Sequence, residues 1–282
     1  VTRWTPTDEQ QDQWQTRGYF VLKRVVARET AFDLRGVIKN ELLKPEPDGR
    51  PDVDPMDPMG DSPESRAARF RKLGNFCVLS PLIWHTFQCG EAMLSVVRHF
   101  LGENIIVKFN SVFVKPARTG SATPWHQDNG LWRDGETAPF NAWMALDPAT
   151  TENGCMQFIP GSHKTEIVPH VLYPDSIHAE LPRERVKDMI DQYGVDHQVL
   201  DPGDVVCWHS SLWHYSPPNP SPNSRIAIAG VWTNPEINGG RLRPMRRWAM
   251  KQGELCTTFP PEPADIENGV VHKPEPFAKD VS

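Results

Sequence analysis

Residues 105–128 read IIVKFNSVFVKPARTGSATPWHQD: a strand-like run, a turn-rich break, then a His and an Asp two positions apart. In a strand, side chains at i and i+2 share a face, so His126 and Asp128 reach one ion while Gln127 points away. Far downstream, LWHYS supplies His214 and SRIAIAG supplies Arg225. Two His and one carboxylate hold one face of a divalent iron and leave the opposite face open for chemistry. Taken alone, His126 reads equally well as a satisfied core histidine, and Asp128 as a turn residue before Asn129-Gly130. Zinc is the chemical competitor for such a donor set, but no H-E-x-x-H motif accompanies it.

Outward from this stretch the chain alternates short apolar runs with turn signals. FNAWMALD, CMQFIPG, VVCWHS and RIAIAGVW read as strands, with the Pro-rich turn SPPNPSPNS before the last. That pattern predicts a mainly β fold, closed or double-sheeted, with flanking helices. Thr7 and Gln10 form a capping box that opens a helix. Gly18–Leu22 reads as a strand, and Ala31, Leu34, Val37, Ile38 and Leu42 carry a helical spacing. More helix is expected over about 80–101. The segment 45–65, with six Pro and seven acidic residues, reads as an irregular surface loop or lid whose acids do not fit an EF-hand. Residues 172–194 read as a helical insert, and about 236–282 as an irregular tail. The whole of 1–282 is read as one domain, its helical support at about 7–101 and its β core at about 105–235.

Bulk composition narrows the function classes. A net charge of −6 and a pI near 5.9 argue against a general nucleic-acid binder. No apolar run approaches the roughly 20 residues that span a bilayer, and the first residues lack the apolar centre of a signal peptide. Five Cys without C-x-x-C pairing favour reduced thiols, hence a cytoplasmic location. Arg241, Arg243, Arg246 and Arg247 form a basic cluster that reads as a solvated face or subunit contact, or as a seat for an anionic group.

Four stretches carry a resemblance to a known family: EQQDQWQTRGYFVLKRVV (9–26), FVKPARTGSATPWHQDNGLW (113–132), AWMALDPATTENGCMQFIPGSHK (142–164) and DPGDVVCWHSSLWHYSPPNPSPNSR (201–225). In order and spacing the chain resembles the phytanoyl-CoA dioxygenase (PhyH-like) family of iron(II)/2-oxoglutarate-dependent oxygenases. The family's distal His and its 2-oxoglutarate Arg lie eleven residues apart, as do His214 and Arg225 here. His209 would break that spacing and reads as a wall or core residue.

The resemblance implies a double-stranded β-helix (jelly roll, cupin-like) core buttressed by N-terminal helices. It implies Fe(2+) on His126, Asp128 and His214, with 2-oxoglutarate and O2 as co-substrates. Arg225 would grip the far carboxylate of 2-oxoglutarate, its planar fork matching two oxygens. Ser216, Trp143, Ser111, Asn110 and Lys72 fall at or near other co-substrate contacts. Trp125, Gln127, Trp132 and Arg133 flank the metal motif and are candidate substrate contacts. The implied reaction is hydroxylation of an unactivated C–H bond of a small molecule, releasing succinate and CO2. Desaturation, epimerisation or cyclisation would use the same residues. Halogenating relatives carry a small residue in place of the carboxylate, so Asp128 favours hydroxylation or a related oxidation over halogenation. The rival from another class is a cupin-like metal-binding protein, which has no need of a carboxylate clamp at position 225.

Overall fold

The computed structural model describes residues 4–53, 62–132, 139–176, 178–238 and 246–264. The strands in chain order are β1 (Tyr19–Leu22), β2 (Arg50–Val53), β3 (Phe70–Gly74), β4 (Ile105–Lys115), β5 (Thr123–His126), β6 (Phe140–Ala145) and β7 (Gln157–Phe158). They continue with β8 (Asp196–His197), β9 (Val205–Trp208), β10 (His214–Ser216), β11 (Arg225–Thr233), β12 (Arg247–Lys251) and β13 (Glu254–Leu255). The larger sheet runs β1-β9-β6-β11-β4-β12-β13, with β3 also paired to β4 and β2 to β3. The smaller sheet runs β5-β10-β7-β8. These two sheets make the jelly roll expected from the sequence.

Alternation along β11 divides the larger sheet into two chemistries. Ile226 and Ile228 join the apolar cluster shared with the N-terminal helices, whereas Ala227 and Ala229 join a second cluster with Trp143, Met156, Phe158 and Val206. Small residues on the inner face leave room for ligands; large ones on the outer face anchor the buttress. That buttress contains the helix Arg28–Leu42, burying Ala31, Leu34 and Ile38, and the helix Glu91–Leu101, burying Met93, Leu94, Val96 and Val97. The capping box holds as read: Gln10 N–H donates to Thr7 Oγ1, and Thr7 N–H donates to Gln10 Oε1.

The helices expected over 80–101 are a short helix Pro81–Ile83, a π-helical turn Trp84–Gln88 and the helix Glu91–Leu101; two other expectations need correction. The turn seats Gln88 against the sheet, where its side-chain amide donates to Ala229 O and its backbone carbonyl accepts from Trp232 Nε1. The loop expected at 45–65 contains β2 and a helical turn Pro63–Ala67, because β3 offers β2 a free edge; residues 54–61 lie outside the described residues. The stretch after 236, expected to be irregular, contains β12 and β13, with β12 docked on β4. Among the described residues no helix is long and apolar enough to cross a membrane.

Gly230 marks a close approach between sheet and buttress. A Cβ there would lie 2.4 Å from the Trp232 ring and 2.7 Å from Gln88 Oε1. Overpacking of this kind costs about 1–3 kcal/mol. Gly230→Ala is therefore expected to lower Tm by several degrees, read by thermal melting; an unchanged Tm would show that Gln88 and Trp232 yield freely.

Candidate metal and co-substrate site

Pairing of β5 with β10 sets His126 directly opposite His214, with ring centroids 3.9 Å apart. The strand β5 ends at His126, but Gln127 stays extended (φ −112, ψ 129). The i, i+2 geometry therefore survives into Asp128, which opens a short helical turn, Asp128–Leu131. The His126 Nε2 lies 3.6 Å from Asp128 Oδ1, and His214 Nε2 lies 3.7 Å from Asp128 Oδ2. All three offer ligand atoms within 4.8 Å of one another.

The backbone presets both imidazoles. His126 Nδ1 sits 2.8 Å from Pro124 O and His214 Nδ1 sits 2.9 Å from Leu212 O. Each Nδ1 thus carries the proton, and each Nε2 turns its lone pair toward Asp128. Burial, helped by the neighbouring His126, pushes His214 down to about 4, so it is neutral near pH 7. Asn141 Nδ2 donates to Asp128 Oδ2 at 2.8 Å, which orients the carboxylate. An ordered, dry face of two imidazoles and one carboxylate is what a divalent iron takes up readily.

A cavity of about 360 Å3 opens beside this face, lined by Trp143, Ser216, Arg225, Lys72, Trp132 and others. Arg225, at the start of β11, is buried, and burial pulls its guanidinium down to about 10. It donates through Nη1 to Gly154 O and lies over the Trp143 ring, but its buried Nε has no partner. An uncompensated buried charge is strongly destabilising, and an anion in this corner would offset it. Ser216 also lines the cavity, its hydroxyl donating to the same Gly154 O at 2.8 Å.

Several other residues singled out in the sequence do not line the cavity. Asn110 has the opposite parity to Ser111 and pairs with Gly230, on the buttress side of the sheet. Ser111 is fully buried in the inner row, and its hydroxyl is spent on Leu73 O and Val112 O, each at 3.2 Å. Gln127 is fully buried: its amide donates to Ser211 O and Glu166 O, and its side-chain carbonyl accepts from Val168 N. It pins loops rather than substrate. Trp125 stacks on Tyr215, ring centroids 5.3 Å apart, and packs toward Trp213 and Val168, away from the cavity. Trp132 lines the cavity, with Lys108 Nζ 3.9 Å above its ring. Arg133, Arg241 and Arg243 lie outside the described residues. Of the insert, His178 lines the cavity. His209 is half-buried, packed between Trp14 and His163, and does not line the cavity.

Sequence reading missed Asn141, Lys115, Arg71 and His178. The alternation Asn141, Trp143, Ala145 in β6 would have placed Asn141 on the inner face. Lys115 required the register: it pairs with Arg225 across β4 and β11. Its Nζ donates to Ser121 O at 2.5 Å and Ser216 O at 3.3 Å. Burial, with Arg225 and Arg71 nearby, pushes it down to about 6 from an ordinary 10.5. Between those values the unfolded chain binds a proton that the folded chain does not, so this site's contribution to stability rises with pH. Lys115→Met removes that penalty at the cost of two hydrogen bonds of about 1 kcal/mol each. It is expected to raise Tm by several degrees at pH 7, without added co-substrate, and by less near pH 10. A Tm at pH 7 at or below that of the parent would contradict this.

With this geometry in hand, comparison with known proteins is informative. The phytanoyl-CoA dioxygenase (PhyH) family model matches residues 14–227. L-proline trans-4-hydroxylase of Streptomyces griseoviridis is 31% identical over 154 residues, covering 49% of this chain and 58% of that protein. Dioxygenase lolE1 of Epichloe uncinata is 33% identical over 143 residues, covering 51% of this chain and 52% of that protein. The chain thus spans about half the length of these curated relatives. Among solved structures, EctD from S. alaskensis with 2-oxoglutarate and 5-hydroxyectoine superposes with a TM-score of 0.69 at 21% identity, covering 90% of this chain and 82% of that one. The α-ketoglutarate-dependent carbocyclase SnoK from nogalamycin biosynthesis gives 0.63 at 17% identity, covering 88% and 87%. At such identities these structures speak for the fold. The family match spans both the His-x-Asp strand and Arg225, and the chain belongs to the phytanoyl-CoA dioxygenase (PhyH) family.

Proposed function

We propose that this protein is an iron(II)/2-oxoglutarate-dependent dioxygenase that hydroxylates a C–H bond of a small molecule, releasing succinate and CO2. One observation carries the reading. Two His Nε2 lone pairs and a carboxylate converge on one wall of a cavity, and a buried arginine with an orphaned Nε stands in the same cavity. A metal-binding barrel without a co-substrate has no use for that arginine. The proline hydroxylase relative and the 2-oxoglutarate-bound EctD support both the cofactors and the reaction class.

The residues divide the work by position. His126, Asp128 and His214 would hold iron through Nε2, a carboxylate oxygen and Nε2. Iron and 2-oxoglutarate, when bound there, would supply the oxidising power for the reaction. Arg225 receives the far carboxylate of 2-oxoglutarate, with Ser216 beside it and Trp143 closing the face. Lys115 adds a second donor at that end. Asn141 keeps Asp128 from rotating off the metal. Met156, Phe113 and Trp208 line the cavity and keep water from the reacting centre.

Two results are expected. His126→Ala loses succinate formation from 2-oxoglutarate by at least about a hundredfold; full activity in that variant would sink the reading. Added 2-oxoglutarate, with iron(II) under nitrogen, raises Tm of the parent, as a ligand of the folded state must. The same addition leaves Arg225→Ala unmoved; an equal shift in both proteins would remove Arg225 from the co-substrate site.

A further inference from the structure

Among the described strands, β5 ends the smaller sheet, with β10 on one side of it. Its ladder stops at His126, yet Asp128 must leave the strand in a fixed direction for its carboxylate to meet both imidazoles. That direction is set by the backbone at Gln127. The segment 166–181 takes up the other edge of β5 at two points. Trp125 O accepts from Leu181 N at 2.8 Å, and Gln127 N donates to the His170 imidazole, at Nε2, over 3.0 Å. In a strand the carbonyl of one residue and the amide two residues on point to the same edge, so one neighbour meets both. At Gln127 a side chain does what a paired strand would do.

The segment is braced for this. Val171 N donates to Glu180 O at 2.7 Å and Glu180 N donates to Val171 O at 2.9 Å. His170 and Leu181 lie immediately outside that bridge, so the two grips on β5 share one base. Val168 O lies 2.9 Å from His170 Nδ1, which puts the proton on Nδ1 and leaves Nε2 as the acceptor. Val168 N in turn donates to Gln127 Oε1 at 2.9 Å. The half-buried His170 ring also lies against Gly130, where a Cβ would fall 2.7 Å from Nδ1 and closer still to Cε1. One imidazole thus holds both ends of the stretch 127–130, which contains Asp128. His170 does not line the cavity, so contact with a substrate does not account for it.

We propose that His170 is a positioning residue of the metal centre: by accepting from Gln127 N–H it fixes the direction in which Asp128 offers its carboxylate. This rests on the reading of His126, Asp128 and His214 as the ligands. Asn141 restrains the carboxylate itself, whereas His170 acts on the backbone that carries it. Without the acceptor, the Gln127 peptide must turn toward another partner or stay unpaired, and an unpaired amide in a dry place is costly. Either way the aim of Asp128 changes while both imidazoles stay where the β5–β10 pairing puts them.

The test is iron(II) binding by the full chain under nitrogen, in the parent, His170→Phe, His170→Gln and Gly130→Ala. Phenylalanine keeps a ring against Gly130 and removes the acceptor, glutamine keeps an acceptor, and alanine at 130 pushes the native ring aside. Iron(II) affinity is expected to fall about tenfold in His170→Phe and in Gly130→Ala, and to return to within about threefold of the parent in His170→Gln. Cobalt(II) bound in place of iron reports its ligands through visible bands. These bands are expected to change in the first two variants and to match the parent in the third. Gly130→Ala carries the test if His170→Phe does not fold. A lower Tm of the metal-free variants, with iron affinity and cobalt bands unchanged, would make His170 merely structural and overturn the proposal. So would a loss in His170→Phe that glutamine does not restore, which would assign the effect to the shape of the ring and not to its lone pair. Failure of the parent protein to bind iron(II) would instead refute the reading of the three ligands.

Discussion

The pairing of His126 with His214 across β5 and β10 is the constraint on which the rest of the site depends. It joins two histidines far apart in the chain, and two backbone carbonyls, of Pro124 and Leu212, fix their tautomers. The larger sheet supplies the lid of the box. Its inner face is lined by alanines where the cavity must stay open and by Trp143 and Trp208 where it must stay dry. Shifting β10 by one residue would turn His214 out of the site, because successive side chains in a strand face opposite ways. Gln127 guards against such a shift, tying the turn after β5 to Ser211 just before β10.

The second theme is charge kept at a cost. Arg225 and Lys115 face each other at the end of two paired strands, buried, with carbonyl oxygens as their hydrogen-bond acceptors. A protein selected for stability alone would place apolar side chains there. Retaining a buried arginine and a buried lysine amine beside the two histidines and Asp128 is a sacrifice of stability of the kind functional sites make. The outer buttress, with its continuous cluster of buried aliphatic and aromatic residues, carries the compensating stability.

Much of this was legible in the sequence because the signals are local. An H-x-D at the end of a β run, small residues alternating after Arg225, and a capping box at Thr7 each follow from strand or helix periodicity. Other features depend on which strands become neighbours. Lys115 is an unremarkable strand-end lysine until the β4–β11 register sets it against Arg225. Asn110 and Ser111 are adjacent, and only the register shows that Asn110 faces the buttress. Gln127 and Trp125 flank the motif in sequence, yet alternation and the turn after His126 send both away from the cavity. The strands β2 and β12 escaped notice because they sit in Pro- and charge-rich stretches; each is a strand by virtue of docking on an already formed edge.

The measurement that tests this account most directly is an anaerobic titration of the metal-free protein with iron(II) and then 2-oxoglutarate, followed by visible absorption. Chelation of iron on the His126–Asp128–His214 face by the keto acid gives a weak charge-transfer band. The band should appear at one equivalent of each and be lost in Arg225→Ala at the same concentrations. Iron binding without a band in the parent protein would mean that the cavity holds a metal but no co-substrate, and the oxygenase assignment would fall.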